Sequence, residues 1–231
     1  MPSNQAPQTR PPGPRVAKQD VHTSAPGLGW YTDTILYGEM WERPELSKRD
    51  RSLITVAALV TSAHMAQLNG HLNRALKNGV TPVEIVELIT HLAFYAGWPC
   101  TMSSIVVMGQ VFEANGVTAE QSAQSLGTAP EPAGSHAMSS LEEIEKRVLQ
   151  EDLWKRIELA PRDRSLATIA AFLTQGLDEP LREQLELGRA NGLTETEVVE
   201  AASHLAFYAG WGRSATALAL VRAVYATGTS D

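Results

Sequence analysis

Two imidazoles and a carboxamide stand at His64, Gln67 and His71, spaced i, i+3 and i+7. On a helix these positions share one face, so the spacing predicts a polar stripe that can orient a ligand and move a proton. Imidazole suits the proton because its ordinary pKa of about 6.5 lies near working pH. The amide of Gln67 can only hydrogen-bond. A second group, His91, Tyr95 and Trp98, falls within the run HLAFYAGW. A histidine facing a neighbouring helix often serves packing alone, and Tyr95 and Trp98 read first as core or interface. Three histidines can bind zinc, but two helical turns put about 10 Å between His64 and His71. The expectation is therefore no metal.

A comparison inside the chain singles out the first stripe. HLAFYAGW recurs at His204–Trp211, and sliding the sequence by 113 residues matches 29 of 58 positions without a gap, Trp41–Trp98 against Trp154–Trp211. The chain is a fused tandem repeat. RDRSL occurs in both copies, at Arg49–Leu53 and Arg162–Leu166. It reads as a helix entrance whose Asp and Ser cap backbone amides, with Arg51 as a candidate anion contact. The copies part company between Ser62–Lys77 and Gln175–Ala190, where only two leucine pairs agree. Leu177, Pro180 and Gln184 stand in place of His64, Gln67 and His71. The second half reads as silent.

The elements that must hold these residues are helices. Leu68, Leu72, Ala75 and Leu76 recur at helical spacing, and Asn78-Gly79 supplies a stop. Thr81 with Glu84, and Thr194 with Glu197, form capping boxes that start the next helix. That helix runs to Gly97, and a last one covers about Thr101 to Ala114. No stretch alternates as a strand does. The expected fold is all-α. Residues 1–26, rich in Pro, Ser and Gln, read as a disordered tail. Residues 27–115 form the first repeat, 116–138 a Pro/Gly/Ala/Ser linker, and 139–228 the second repeat.

Composition bounds the function. A formal charge of -7 argues against nucleic acid or an anionic membrane surface. No apolar run approaches the span of a bilayer, and the first residues lack the apolar core of a secretory signal. The one cysteine, Cys100, cannot form an internal disulfide or a CxxC pair. A reducing cytoplasm is the expected compartment.

Each repeat resembles the carboxymuconolactone decarboxylase family of the alkylhydroperoxidase D-like superfamily. The likeness rests on W-x-R-x-x-L-x-x-RDRSL, on HL-x-x-AL-x-NG-x-T, and on E-x-x-x-HLAFYAGW. It implies two fused helical repeats forming a pseudo-dimer, a trimer of such chains, and pockets between helices near protomer interfaces. In the peroxidase branch of the superfamily a CxxC pair precedes a histidine. Here His71 takes that histidine's place, while His64 and Gln67 occupy the cysteine positions. Thiol peroxidase chemistry is not expected, since it needs a thiolate and a resolving partner. In the decarboxylase branch the residue four before the histidine is acidic, and here it is Gln67.

The resemblance implies removal of CO₂ from a carboxylated unsaturated lactone without a cofactor. The substrate is a small-molecule carboxylate that delocalises its own electrons. The protein holds the carboxylate, stabilises the dienolate oxygen and protonates carbon. On this reading His71 is the general acid and His64 a second proton carrier or oxyanion donor. Gln67, His91, Tyr95 and Trp98 bind and shape the substrate. Two readings stand beside it: a cofactor-free isomerase, cyclase or lyase on a related unsaturated acid, and a non-catalytic oligomeric ligand binder.

Overall fold

Helical periodicity punctuated by glycine produces a chain of helices, with no strand among the described residues. The computed structural model describes residues 14–132 and 139–226. The chain divides into two compact units, Met1–Pro44 and Glu45–Asp231. In the first, α1 (Gln19–Ser24) and α2 (Pro26–Tyr31) lead into a π-helical turn, Thr32–Tyr37, and a 3-10 turn, Met40–Glu42. The tail expected over residues 1–26 is thus helical in part, and residues 1–13 lie outside the described ones. Asp33 supplies the physical reason. Its carboxylate accepts the backbone N–H groups of Val16 and Ala17 at 2.8 and 2.7 Å and lies 3.0 Å from the His22 ring.

The second unit holds the helical cores of both repeats. The first repeat contributes α3 (Lys48–Thr61), α4 (Met65–Lys77), α5 (Pro82–Ala96) and α6 (Trp98–Ala114). After α7 (Ser140–Ile144), α8 (Pro161–Gln175), α9 (Asp178–Ala190), α10 (Glu195–Ala209) and α11 (Trp211–Ala226) repeat the order. Both capping boxes form, at Thr81 with Glu84 and at Thr194 with Glu197. Gly97, at φ +94°, turns the chain directly from α5 into α6. The last helix of the first repeat therefore starts at Trp98, three residues before the expected Thr101. Leu68 and Leu72 on α4 are fully buried, and truncating such a leucine to Ala costs about 2–5 kcal/mol.

The repeats interlock. Helix α3 packs on α8, α5 on α8, and α10 on α3. Four fully or nearly fully buried charges cross between halves: Arg51 donates to Glu200 at 2.8 Å, and Arg164 to Glu87 at 2.8 Å. Removing one partner of a pair like this costs about 3–5 kcal/mol, because the other charge stays buried. RDRSL is consequently a clasp between halves. The cap on α3 is Ser47, which accepts from the Asp50 N–H. Asp50 itself accepts from Arg162 at 3.0 Å, while Asp163 accepts from Arg49 at 2.8 Å. Ser52 turns back on its own helix, donating to the Lys48 carbonyl. Arg51 is taken up by the clasp. The described part of the linker is fastened as well: Glu158 accepts from the Ser125 N–H, and Arg156 donates to the Ser125 carbonyl. Residues 133–138 lie outside the described ones.

Candidate functional site

Helix α4 presents His71 from a face anchored by Leu68, Leu72 and Ala75. The ring is half-buried and meets Tyr208 of α10 edge to face, centroids 5.3 Å apart. Tyr208 in turn stacks on His204 at 5.1 Å. This aromatic partner of His71 thus comes from the second repeat. Burial, with the charge of Arg74 one turn along α4, pushes the His71 imidazole down to about 4. At neutral pH this ring carries one proton, and can accept another where an anion arrives to stabilise it.

His204 and His91 do different work, and the hydrogen bonds fix their tautomers. The Thr55 hydroxyl donates its single hydrogen to the Arg51 carbonyl at 2.7 Å. It must therefore accept from His204 Nε2–H, 2.8 Å away, which leaves Nδ1 as the acceptor facing the Arg51 guanidinium at 3.4 Å. The other half copies the arrangement: Thr168 donates to the Arg164 carbonyl at 2.8 Å, accepts from His91 Nε2 at 2.7 Å, and Arg164 stands 3.5 Å from His91 Nδ1. Burial first, then the adjacent arginine charge, holds both imidazoles well below the ordinary range. Both rings are fully buried with both nitrogens engaged. His91, expected to bind substrate, presents no polar atom to it.

Of the remaining expected residues, only Gln67 lies on the helix face of His71, one turn earlier on α4. His64 lies off the helical stripe. It occupies the corner before α4, exposed, with Nδ1 2.6 Å from the Ser62 hydroxyl. Ala63, at φ +56°, turns the chain there, so the helical period starts at Met65 and cannot be extended back to residue 64. Gln67 is exposed on the first turn of α4. Tyr95 belongs with the second repeat: its hydroxyl accepts from Trp154 Nε1 at 2.7 Å, and its ring meets Phe172 edge to face. Trp98 lies in a surface groove with Phe94, Thr101, Met102 and Ile105. Two partners were missed by the sequence reading. Arg74 was signalled by its replacement with Leu187 in the twin, and Tyr208 by the second copy of HLAFYAGW, although which half it would face was not.

The position equivalent to the His71 site is a cavity of about 360 Å³ beside α9. It is lined by Tyr95, Glu145, Leu149, Trp154, Gln184 and Leu187, with Gln150 alongside. Gln184 and Leu187 stand in the register of His71 and Arg74. Among the described residues no group of three or more His, Cys, Asp or Glu is placed to hold a metal ion.

Comparison with known proteins places both repeats. The model of the carboxymuconolactone decarboxylase family matches residues 26–108 and 146–223. A protein named 4-carboxymuconolactone decarboxylase from Acinetobacter baylyi (strain ATCC 33305 / BD413 / ADP1) is 38% identical over 91 residues, covering 39% of this chain and 68% of that relative. Nitrosuccinic acid decarboxylase npaB of Metarhizium robertsii (strain ARSEF 23 / ATCC MYA-3075) is 35% identical over 71 residues, which is 31% of this chain and half of that relative. Each match has about the length of one repeat. Since one family model accounts for both halves and for the helices that carry His71 and its twin position, the chain belongs to the carboxymuconolactone decarboxylase family.

Proposed function

We propose that the chain is a carboxy-lyase acting on a carboxylated unsaturated lactone, and that the chemistry belongs to α4 around His71. One observation carries this reading. Two helices of common origin differ where a ligand would be met: His71 with Arg74 a turn away in one, Gln184 with Leu187 in the other. Only the first set combines a proton carrier with a positive charge for a carboxylate. Both relatives carry names of decarboxylases.

The residues support a defined sequence of events. A carboxylate arriving near Arg74 and His71 raises the His71 pKa from about 4, so binding draws one proton from solvent onto the ring. The C–CO₂ bond breaks with its electron pair passing through the conjugated system to the lactone carbonyl oxygen. His71 then gives its proton to the carbon, and the ring returns to the neutral form that its burial favours. The Tyr208 ring fixes the imidazole plane by its edge contact. A related unsaturated acid as substrate is favoured by one feature, the exposed amide of Gln67 where the family resemblance leads one to expect an acid. The same reading makes the chain a cytoplasmic homo-oligomer of three two-repeat chains, requiring no cofactor.

Incubation with 4-carboxymuconolactone should yield a product lighter by one CO₂. His71→Ala, with helical circular dichroism retained, should lower turnover by about 10². Unchanged turnover in that variant would reject the role of His71, and recovery of an isomer of unchanged mass would reject the carboxy-lyase.

A further inference from the structure

The half without His71 is not filled in. Its cavity keeps about 360 Å³ beside α9, the size range of small-molecule sites, and its polar equipment is incomplete in a particular way. Gln184 is only 6% exposed, yet its Nε2 has no hydrogen-bond partner. Buried amides are nearly always satisfied, and the amide can present either end by a half turn about its last torsion. Across the cavity the Tyr95 hydroxyl accepts from Trp154, which leaves its own hydrogen to donate. Burial pushes that phenol up, against the lowering effect of the Trp154 bond, and the charge of Glu145 adds to the rise. The phenol therefore keeps its proton. Tyr95 and Trp154 supply flat apolar faces, and Leu149 and Leu187 complete the wall.

Charge selects among ligands that fit this shape. The His71 site has Arg74; here the register position is Leu187, and Glu145 adds a carboxylate to the lining. A carboxylate ligand would meet a like charge, and no Lys or Arg is among the lining residues. We propose that this cavity binds an uncharged, planar, carbonyl-bearing small molecule, with the Gln184 amide and the Tyr95 hydroxyl hydrogen-bonding its polar edge and the Tyr95 and Trp154 rings flanking it. The chemical class is the unsaturated lactone without its carboxylate. This preference for a neutral ring stands apart from the decarboxylase reading above, whose lactone product keeps a side-chain carboxylate. The repeats would then differ in ligand charge, one taking a carboxylate and the other an uncharged lactone.

The test uses the full chain and the indole N–H resonance of Trp154, identified by its loss in Trp154→Phe. Titration with 2(5H)-furanone should shift that resonance, and titration with its 5-carboxylate should shift it at least tenfold less at equal concentration. Gln184→Leu fills the same space without the unpartnered amide, so the fold should hold. It should weaken furanone binding at Trp154 by tenfold or more. Leu187→Arg should reverse the preference toward the carboxylate. No shift with furanone, equal binding by Gln184→Leu, or a native preference for the carboxylate would each overturn the proposal. Absence of CO₂ release from the carboxylated lactone would sink the decarboxylase reading while leaving these outcomes as they stand.

Discussion

At the scale of the residue, three histidines with lowered pKa values divide into two kinds. His71 is half-buried against a tyrosine edge and can regain its proton when an anion binds. His91 and His204 are locked as Nε2–H tautomers between a threonine hydroxyl and an arginine. Protonating either would put a cation on Nδ1 against a guanidinium inside the protein. That penalty has a sign in stability. The unfolded chain takes up protons near pH 6.5, whereas these folded imidazoles do so only well below it. Stability is therefore fully present above about 6.5 and lost as pH falls toward the folded pKa, at up to ~1.4 kcal/mol per pH unit for each ring. Urea unfolding followed from pH 7 to pH 5 should show the decline. His204→Gln keeps an N–H donor for Thr55 but cannot titrate, so it should remove one ring's share of the slope. A wild-type stability that stays level over this range would contradict the buried neutral assignment.

At the scale of the element, the corner between α3 and α4 decides which side chains join the site. Ala63 holds φ +56° there, while its counterpart Gly176 holds +75°. A left-handed conformation disfavours a Cβ by about 1–2 kcal/mol, part of which glycine returns as unfolded-chain entropy. Ala63→Gly should thus stabilise the chain by about 0.5–1 kcal/mol, read as a higher denaturant midpoint; a lower midpoint would show that the alanine is relaxed. The same corner explains what the sequence could and could not disclose. Thr81 and Glu84 announced the start of α5 because a capping box is a local device with its own residue code. In the sequence His64 extends the stripe of α4, because an alanine carries no mark of the left-handed turn that its twin's glycine carries openly. HLAFYAGW revealed the duplication, but periodicity within a helix says nothing about which copy of α4 it will face. The exchange of Tyr95 and Tyr208 between halves is a product of the α3–α8 packing, fixed by contacts between residues more than a hundred positions apart.

At the scale of the whole molecule, the two repeats share an exposed tryptophan, and only the first extends it into an apolar row. Helix α6 exposes Trp98, Met102 and Val106 by 55%, 59% and 64%, and α11 begins with Trp211 exposed by 73%. Trp98 and Trp211 are the same position of the repeat, each with a phenylalanine one turn earlier, Phe94 and Phe207, meeting it edge to face. Single exposed apolar residues are ordinary, but a row of them along one helix marks an association surface. Ala215 and Ala219 replace Met102 and Val106 in the second half, so the two faces are unlike, and a chain can meet one neighbour through α6 and another through the Trp211 end of α11. Such head-to-tail contacts close into a ring when the rotation permits, which fits the three-chain assembly proposed above. Sedimentation velocity should therefore report about three times the 25.0 kDa of one chain. Met102→Glu with Val106→Glu puts two like charges on that face without touching α4, and should shift the chain to monomer while keeping its helical spectrum. A wild-type chain that sediments as a monomer would dismiss the ring. A double variant that still forms trimers would move the interface elsewhere on the surface.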